Sequence, residues 1–202
     1  SLEGRPIYAV KFSDNPNDDE DEPQVLYTGL HHAREPMSYM NLFYYMYWLV
    51  QNYNIDNEAT SLLNNREIWF IPMVNPDGLV YNELINPNGG GMQRKNHRET
   101  CSLNDDQYNW DGIDLNRNYS YQWAFDDDGS SPDPCSQTYR GSEAFSEPET
   151  QIIRDFIENN NFSIVLNYHS YGNLLIHPLG YIPGLLPPEP DLSIFREFGD
   201  EM

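Results

Sequence analysis

Cations, thiols and long apolar runs are what this sequence has little of. Eleven Lys and Arg stand against 32 Asp and Glu, a formal net charge of −21 over 202 residues. Nucleic-acid binding is driven by basic patches that release counterions, so a surface this acidic repels phosphate backbones and nucleic acid is not an expected partner. The acidity fits the solubility of a secreted or salt-exposed protein better than it fits a mechanism. Two cysteines, Cys101 and Cys135, are too few for a four-thiolate zinc site or a dense disulfide framework. One bridge between them is expected, which suits a secreted, periplasmic or extracellular location. No apolar run approaches the roughly 20 residues that span a bilayer, so membrane insertion is not expected. Ser1-Leu2-Glu3-Gly4-Arg5 is not a signal peptide.

What is present is enough for a packed core. Hydrophobic residues make up 39% and aromatics 14%, which excludes a disordered polyelectrolyte. Residues 6–12 and 24–30 read as strands, neighbours in a hairpin-like pair across the acidic segment 14–22. That segment is a solvated loop, with Ca2+ binding as a second possibility although its oxygen ligands show no regular spacing. Residues 36–52 offer helix formers with Pro36 in the first turn, and aromatics on nearly every face predict a buried helix. Residues 67–74 read as a strand running into Asn75-Pro76-Asp77-Gly78, a turn signal. An irregular stretch, 86–144, comes next, and loops this long in a compact domain usually carry function. Ser146-Glu147-Pro148-Glu149 has the form of a capping box ahead of a helix over 147–160, and 162–168 is a strand. Strands alternating with helices predict one α/β domain over 1–202, with a mixed, largely parallel central sheet and helices on both faces.

Ligands of open α/β sheets gather beyond the carboxyl ends of the strands. His32 follows one predicted strand and His169 follows another. His32 and Glu35, spaced His-x-x-Glu at one bend, could converge with His169 into the His2Glu set that holds zinc and leaves a fourth position open. On spacing alone the pair is a weak signal, a surface His-Arg-Glu cluster is the commoner reading, and His31 competes for the ligand role.

Four motifs in order sharpen this: Gly29-Leu30-His31-His32-Ala33-Arg34-Glu35, Asn75-Pro76-Asp77-Gly78, Asp114-Leu115-Asn116-Arg117-Asn118 and His169-Ser170-Tyr171. The chain resembles the zinc metallocarboxypeptidases of the carboxypeptidase A/T type, and the bacterial carboxypeptidase T side looks nearer. Gly4-Arg5-Pro6-Ile7-Tyr8, Arg94-Lys95-Asn96, Thr138-Tyr139-Arg140-Gly141 and the segment from Phe145 to Thr150 extend the resemblance over nearly the whole chain.

The resemblance implies a catalytic domain whose zinc is held by His32, Glu35 and His169, with His31 a neighbour. It implies that Arg94 stabilises the oxyanion, that Asn116 and Arg117 hold the substrate's terminal carboxylate, and that Arg34 and Tyr171 line further substrate sites. The implied reaction is hydrolysis of the C-terminal peptide bond of a peptide or protein with a free C-terminal carboxylate, by a monomer. It further implies cis peptide bonds at Ser170-Tyr171 and near Pro178-Leu179, where Leu179 replaces the family's tyrosine. The family's general-base glutamate and a mobile tyrosine lie far beyond the third ligand, with the residues that select the C-terminal side chain. The chain ends at Met202 and matches neither, and the family's N-terminal helix and first strand have no counterpart before Gly4. On this reading it is a catalytic domain truncated at both ends that binds zinc and hydrolyses poorly. A zinc amidohydrolase acting on cell-wall peptides (the γ-D-glutamyl-diaminopimelate peptidase type), a deacylase and a non-catalytic binding homologue are the alternatives.

Overall fold

The computed structural model describes residues 1–101 and 110–201. Its elements in chain order are β1 (Val10–Phe12), β2 (Gln24–Gly29), α1 (Pro36–Asn52), α2 (Asn57–Leu63), β3 (Glu67–Ile71), α3 (Pro76–Ile85), a 3-10 turn (Leu115–Arg117), α4 (Pro148–Glu158), β4 (Phe162–Tyr168) and α5 (Asp191–Glu201). The four strands form one sheet in the order β1-β3-β2-β4. β2 lies parallel to β3 and to β4, and β1 runs antiparallel to β3. The sheet is therefore mixed and largely parallel, as expected.

The expected hairpin does not form. β1 is confined to Val10–Phe12 and pairs with β3, with Val10 opposite Phe70. The physical reason is that β2 is the central strand, with both edges taken by the parallel strands β3 and β4.

Side chains alternate across each strand, so both sheet faces need cover. Leu26, Trp69 and Ile71 pack on one face against Ile153, Phe156 and Ile157 of α4. Tyr27, Ile68 and Phe70 pack on the other against Leu42 and Leu49 of α1 and Leu63 of α2. Full burial of each such side chain is worth about 1.5–3 kcal/mol. Helices thus cover both faces.

α1 departs from expectation. It buries Ser38, Leu42 and Leu49, whereas Met37, Met40, Tyr44, Tyr47 and Val50 are exposed. Only the stripe that meets the sheet finds cover among the described residues. Asn75-Pro76-Asp77-Gly78, expected as a turn, is the start of α3: Asn75 Oδ1 accepts from the Gly78 N–H at 3.0 Å and Pro76 opens the first turn.

The capping box at α4 does not form either. Glu147 is the N-cap residue and makes no side-chain cap bond. Ser146 Oγ instead donates to Glu147 Oε1 at 2.9 Å, and Glu149 Oε1 accepts from the Leu2 N–H at 2.8 Å. These two glutamates are buried in a polar network with Asn96 and Arg98, which outcompetes the local box. Cys101 and Cys135 form the expected disulfide, with Cα atoms 5.0 Å apart.

Candidate metal centre

β2 ends at Gly29, directly opposite Tyr168 at the end of β4, so two parallel strands deliver their next residues to the same edge of the sheet. Leu30, buried, takes φ +56°, a left-handed conformation that turns the chain over the strand end. Ser38 locks this bend. Its Oγ accepts from the Leu30 N–H at 3.0 Å and donates to the Glu35 carbonyl at 2.6 Å, joining the start of α1 to the end of β2.

The bend aims His32 and Glu35 at His169. Glu35 Oε1 lies 2.8 Å from His32 Nδ1, and Glu35 Oε2 lies 2.8 Å from His169 Nδ1. The Ser170 N–H donates to Glu35 Oε2 at 3.1 Å. One ligand atom from each of the three residues lies within 4.8 Å of the other two. The His32 and Glu35 side chains are almost fully buried, while that of His169 is about a third exposed, so the cluster opens to solvent on its β4 side.

Beneath the cluster lies Asp114, fully buried, which the sequence motif contained but to which the spacing assigned no role. Its Oδ1 lies 3.1 Å from His32 Nε2, and its Oδ2 accepts two bonds from Arg94, from Nη2 at 2.8 Å and Nε at 3.1 Å. A carboxylate only accepts, so it assigns the His32 ring proton to Nε2. Nδ1 then presents a lone pair to Glu35 Oε1, and two acceptors facing each other at 2.8 Å call for a proton or a cation between them.

The titration shifts express the same demand. Burial pushes the His32 imidazole down, but hydrogen bonds to the Asp114 and Glu35 carboxylates reverse this and leave its pKa raised. Glu35 is pushed up by burial and then held far below the usual carboxylate range by His169 and His32. Asp114 is likewise pushed up by burial, yet His32, Arg94 and Arg117 bring it to about 2. Two imidazoles, one carboxylate and an open side are a donor set that fits zinc.

His31 stands apart from this group. Its Nε2 lies 2.7 Å from the Tyr119 hydroxyl, and burial, with lesser contributions from His169 and His32, lowers its pKa to about 3. Arg94 Nη1 sits 3.2 Å from His32 Nδ1 and 3.9 Å from Glu35 Oε1, at the rim of the trio. Asn116 reaches the same edge, its Nδ2 lying 3.4 Å from His169 Nε2. Arg117 donates through Nε to the Gly129 carbonyl at 2.8 Å and through Nη1 to the Asn116 carbonyl at 3.0 Å. Arg34 is half-buried at the bend. Tyr171 follows a cis peptide bond at Ser170-Tyr171 and is fully exposed, so the structure does not bring it into the cluster. The bond at Pro178-Leu179 is also cis.

Among the described residues the His32, Glu35 and His169 trio is the one group of three or more such donors close enough to share an ion. The acidic segment 14–22 gathers no such group, and the Ca2+ expectation finds no support. No helix among the described residues is long and apolar enough to cross a membrane.

A sequence profile described as zinc carboxypeptidase matches residues 1–202. Metallocarboxypeptidase A of Trichophyton rubrum is 32% identical over 192 residues, covering 93% of this chain and 43% of that protein. Carboxypeptidase A4 of Mus musculus is 32% identical over 194 residues, covering 96% of the chain and 43% of the relative. The crystal structure of thrombin activatable fibrinolysis inhibitor superposes with a TM-score of 0.77 at 28% identity, covering 98% of this chain and 47% of that one. The chain thus spans about 43% of the length of these curated relatives. Their names are of the A type, and a special nearness to carboxypeptidase T is not what they show.

Proposed function

This chain belongs to the zinc carboxypeptidase family, and from that premise we propose that it forms the metal-binding part of a hydrolase that releases the C-terminal residue of peptides. The observation that carries the proposal is the convergence of His32, Glu35 and His169 from two parallel strand ends, donor atoms within 4.8 Å of one another. Zinc bound by such a set lowers the pKa of water and polarises a carbonyl.

The remaining work falls to the chain's own residues. Asp114 holds His32 in the tautomer whose Nδ1 is free to bind, as partners outside the ligand set commonly do for metal-bound histidines. The same carboxylate grips Arg94 through two donors and fixes its guanidinium at the rim, where it meets negative charge developing on a carbonyl oxygen. Asn116 and Arg117 take the substrate's terminal carboxylate. Arg117 spends Nε and Nη1 on backbone carbonyls, which fixes the plane of the guanidinium and leaves Nη2 for the substrate. A requirement for a free carboxylate is what makes the activity exopeptidic. Arg34 and Tyr171, at the bend and beyond β4, are assigned to more distant parts of the peptide.

The Cys101–Cys135 disulfide supports an oxidising compartment outside the cytoplasm. We assign the chain to peptide substrates and to a monomeric state.

Metal analysis tests the reading. Protein purified and then dialysed against zinc should retain one equivalent, and His169→Ala should weaken zinc by more than the ~100-fold upper end typical of losing a partner outside the ligand set. Undiminished affinity in His169→Ala, measured against a fluorescent chelator, would move the third ligand elsewhere.

A further inference from the structure

Lys95 follows Arg94 directly but serves the other side of the backbone. Arg94 reaches Asp114 and the trio, whereas the Lys95 side chain is fully buried away from them. Its Nζ donates to the carbonyl oxygens of Trp110 at 2.5 Å, Ser136 at 2.9 Å and Pro134 at 3.3 Å. An ammonium has three donors and no acceptor, and three carbonyls take all three.

Those carbonyls belong to the two ends of the segment 110–136. Between the ends lies the 3-10 turn Leu115–Arg117, and also Gly129, whose carbonyl orients Arg117. Pro134 and Ser136 flank Cys135, which is bridged to Cys101, so the ammonium and the disulfide fasten the same point from two sides. Asn96 continues the attachment, donating its N–H to the Ile113 carbonyl at 3.0 Å and accepting from the Ile113 N–H at 2.8 Å.

Here one side chain supplies donors to three backbone carbonyls at once, much as a bound cation would. A methionine would fill nearly the same volume and supply none. Burial brings the Lys95 pKa down to about 8, with Asp111, Asp114 and Asp133 opposing the fall, so the ammonium persists at neutral pH. The metal ligands rest mainly on other supports, the bend locked by Ser38 and the end of β4, and the bend meets the backbone beside Lys95 only through the Ala33 N–H, which donates to the Arg94 carbonyl at 3.0 Å, and through Asn75. They meet the segment 110–136 through Asp114 and the edge contact of Asn116.

We propose that Lys95 is a positioning residue for substrate binding: its ammonium closes the segment 110–136 and thereby sets Asn116 and Arg117 to receive a carboxylate. This rests on the reading of Asn116 and Arg117 as the carboxylate clamp. The test uses the zinc-loaded chain with N-acetylglycine and, as control, N-acetylglycinamide, with binding followed by NMR titration. Wild type should prefer the carboxylate; Lys95→Met should lose about tenfold or more of that affinity, a misplacement effect, while zinc affinity falls by clearly less.

If wild type fails to distinguish acid from amide, the clamp reading falls and this proposal with it. If wild type distinguishes them and Lys95→Met binds the acid equally well, or loses zinc and acid in equal measure, the clamp reading stands and Lys95 has no positioning role. Should the methionine variant not fold, Lys95→Ala with added propylammonium provides the second test. Propylammonium should restore acid binding and tetramethylammonium, which has no N–H, should not; equal effects of the two overturn the proposal.

Discussion

Asp114 shows how much one buried carboxylate can organise. It is fully buried, and its two oxygens reach His32 and Arg94, one fixing the tautomer of a proposed ligand and the other aiming a guanidinium. A buried charge is stable only when each lone pair finds a partner, and here the partners are the groups that the proposed chemistry needs. Asp114→Asn keeps one acceptor but places an NH2 where an acceptor is required, and it removes the charge that balances Arg94. Zinc affinity is expected to fall ~10–100-fold, the usual cost of losing a partner behind a metal-bound histidine. Competition with a fluorescent chelator measures it, and an unchanged affinity would show that the His32 tautomer is set by something else. The trio was legible in the sequence because four ordered motifs singled it out where the His-x-x-Glu spacing alone was weak and left His31 in contention. Asp114 was not, since an aspartate in an irregular stretch carries no sign of its burial until the fold places it under His32.

At the scale of elements, α3 is the informative case, because its N-cap side chain does more than cap. Asn75 Oδ1 accepts from the Gly78 N–H, while Nδ2 donates to the carbonyls of His31 at 3.2 Å and Lys95 at 3.1 Å. Asn75→Ala therefore removes a cap worth ~1 kcal/mol and leaves two buried carbonyls short of a donor, at ~1–3 kcal/mol each. Urea unfolding should report a loss of about 3 kcal/mol or more. Asp56→Ala, at the half-buried cap of α2, should cost only about 1 kcal/mol, and equal losses at the two sites would contradict the extra role of Asn75. The same helix explains what the sequence hid. α3 buries Asp77, Gly78 and Asn82, so it has no apolar stripe to betray it, and its Asn-Pro-Asp-Gly start imitates a turn. α2 is seven residues long and likewise too short for a period to emerge. α1 and β4 were legible because a long run of helix formers opens on Pro36 just after Glu35 and an apolar run with Ile164 and Val165 leads directly to His169, but the exposure of Tyr44 and Tyr47 was not, since composition does not reveal which faces find cover. Strand order was hidden for a similar reason: nearness in sequence favours β1 beside β2, and only the parallel pairing of β2 with β3 and β4 excludes it.

For the whole molecule, two electrostatic effects of opposite sign meet in the same pH range. Glu67, Asp77 and Asp114 are each pushed up by burial, yet their partners leave all three below the usual carboxylate range: chiefly Lys11 for Glu67, Ser1 with the Glu3 N–H and Arg5 for Asp77, and His32 for Asp114. A group depressed in the folded state adds stability above its unfolded pKa, ~3.9–4.3 for carboxylates, and that stability is lost as pH falls through the folded value. For Asp114 the loss runs from about 4 down to about 2. Against this, the net charge of −21 repels itself at neutral pH, and protonation of exposed carboxylates relieves the repulsion on the way down. Salt separates the two effects, because the Debye length of ~8 Å at 0.15 M screens surface charges from one another but hardly reaches buried pairs. Adding NaCl at pH 7 to chelator-treated protein should raise the melting temperature by several degrees, since about 1 kcal/mol moves it ~2–4 °C in a chain of this size. The same addition near pH 4 should do much less, because most of the repulsion is already gone. Below about pH 4 the protein should lose stability whatever the salt, because protonating the buried carboxylates breaks their pairs. Scanning calorimetry across pH and NaCl distinguishes the terms: a salt effect of equal size at pH 7 and pH 4 would mean that the surface charge does not govern neutral-pH stability, and undiminished stability down to pH 2 would mean that the buried carboxylates contribute nothing.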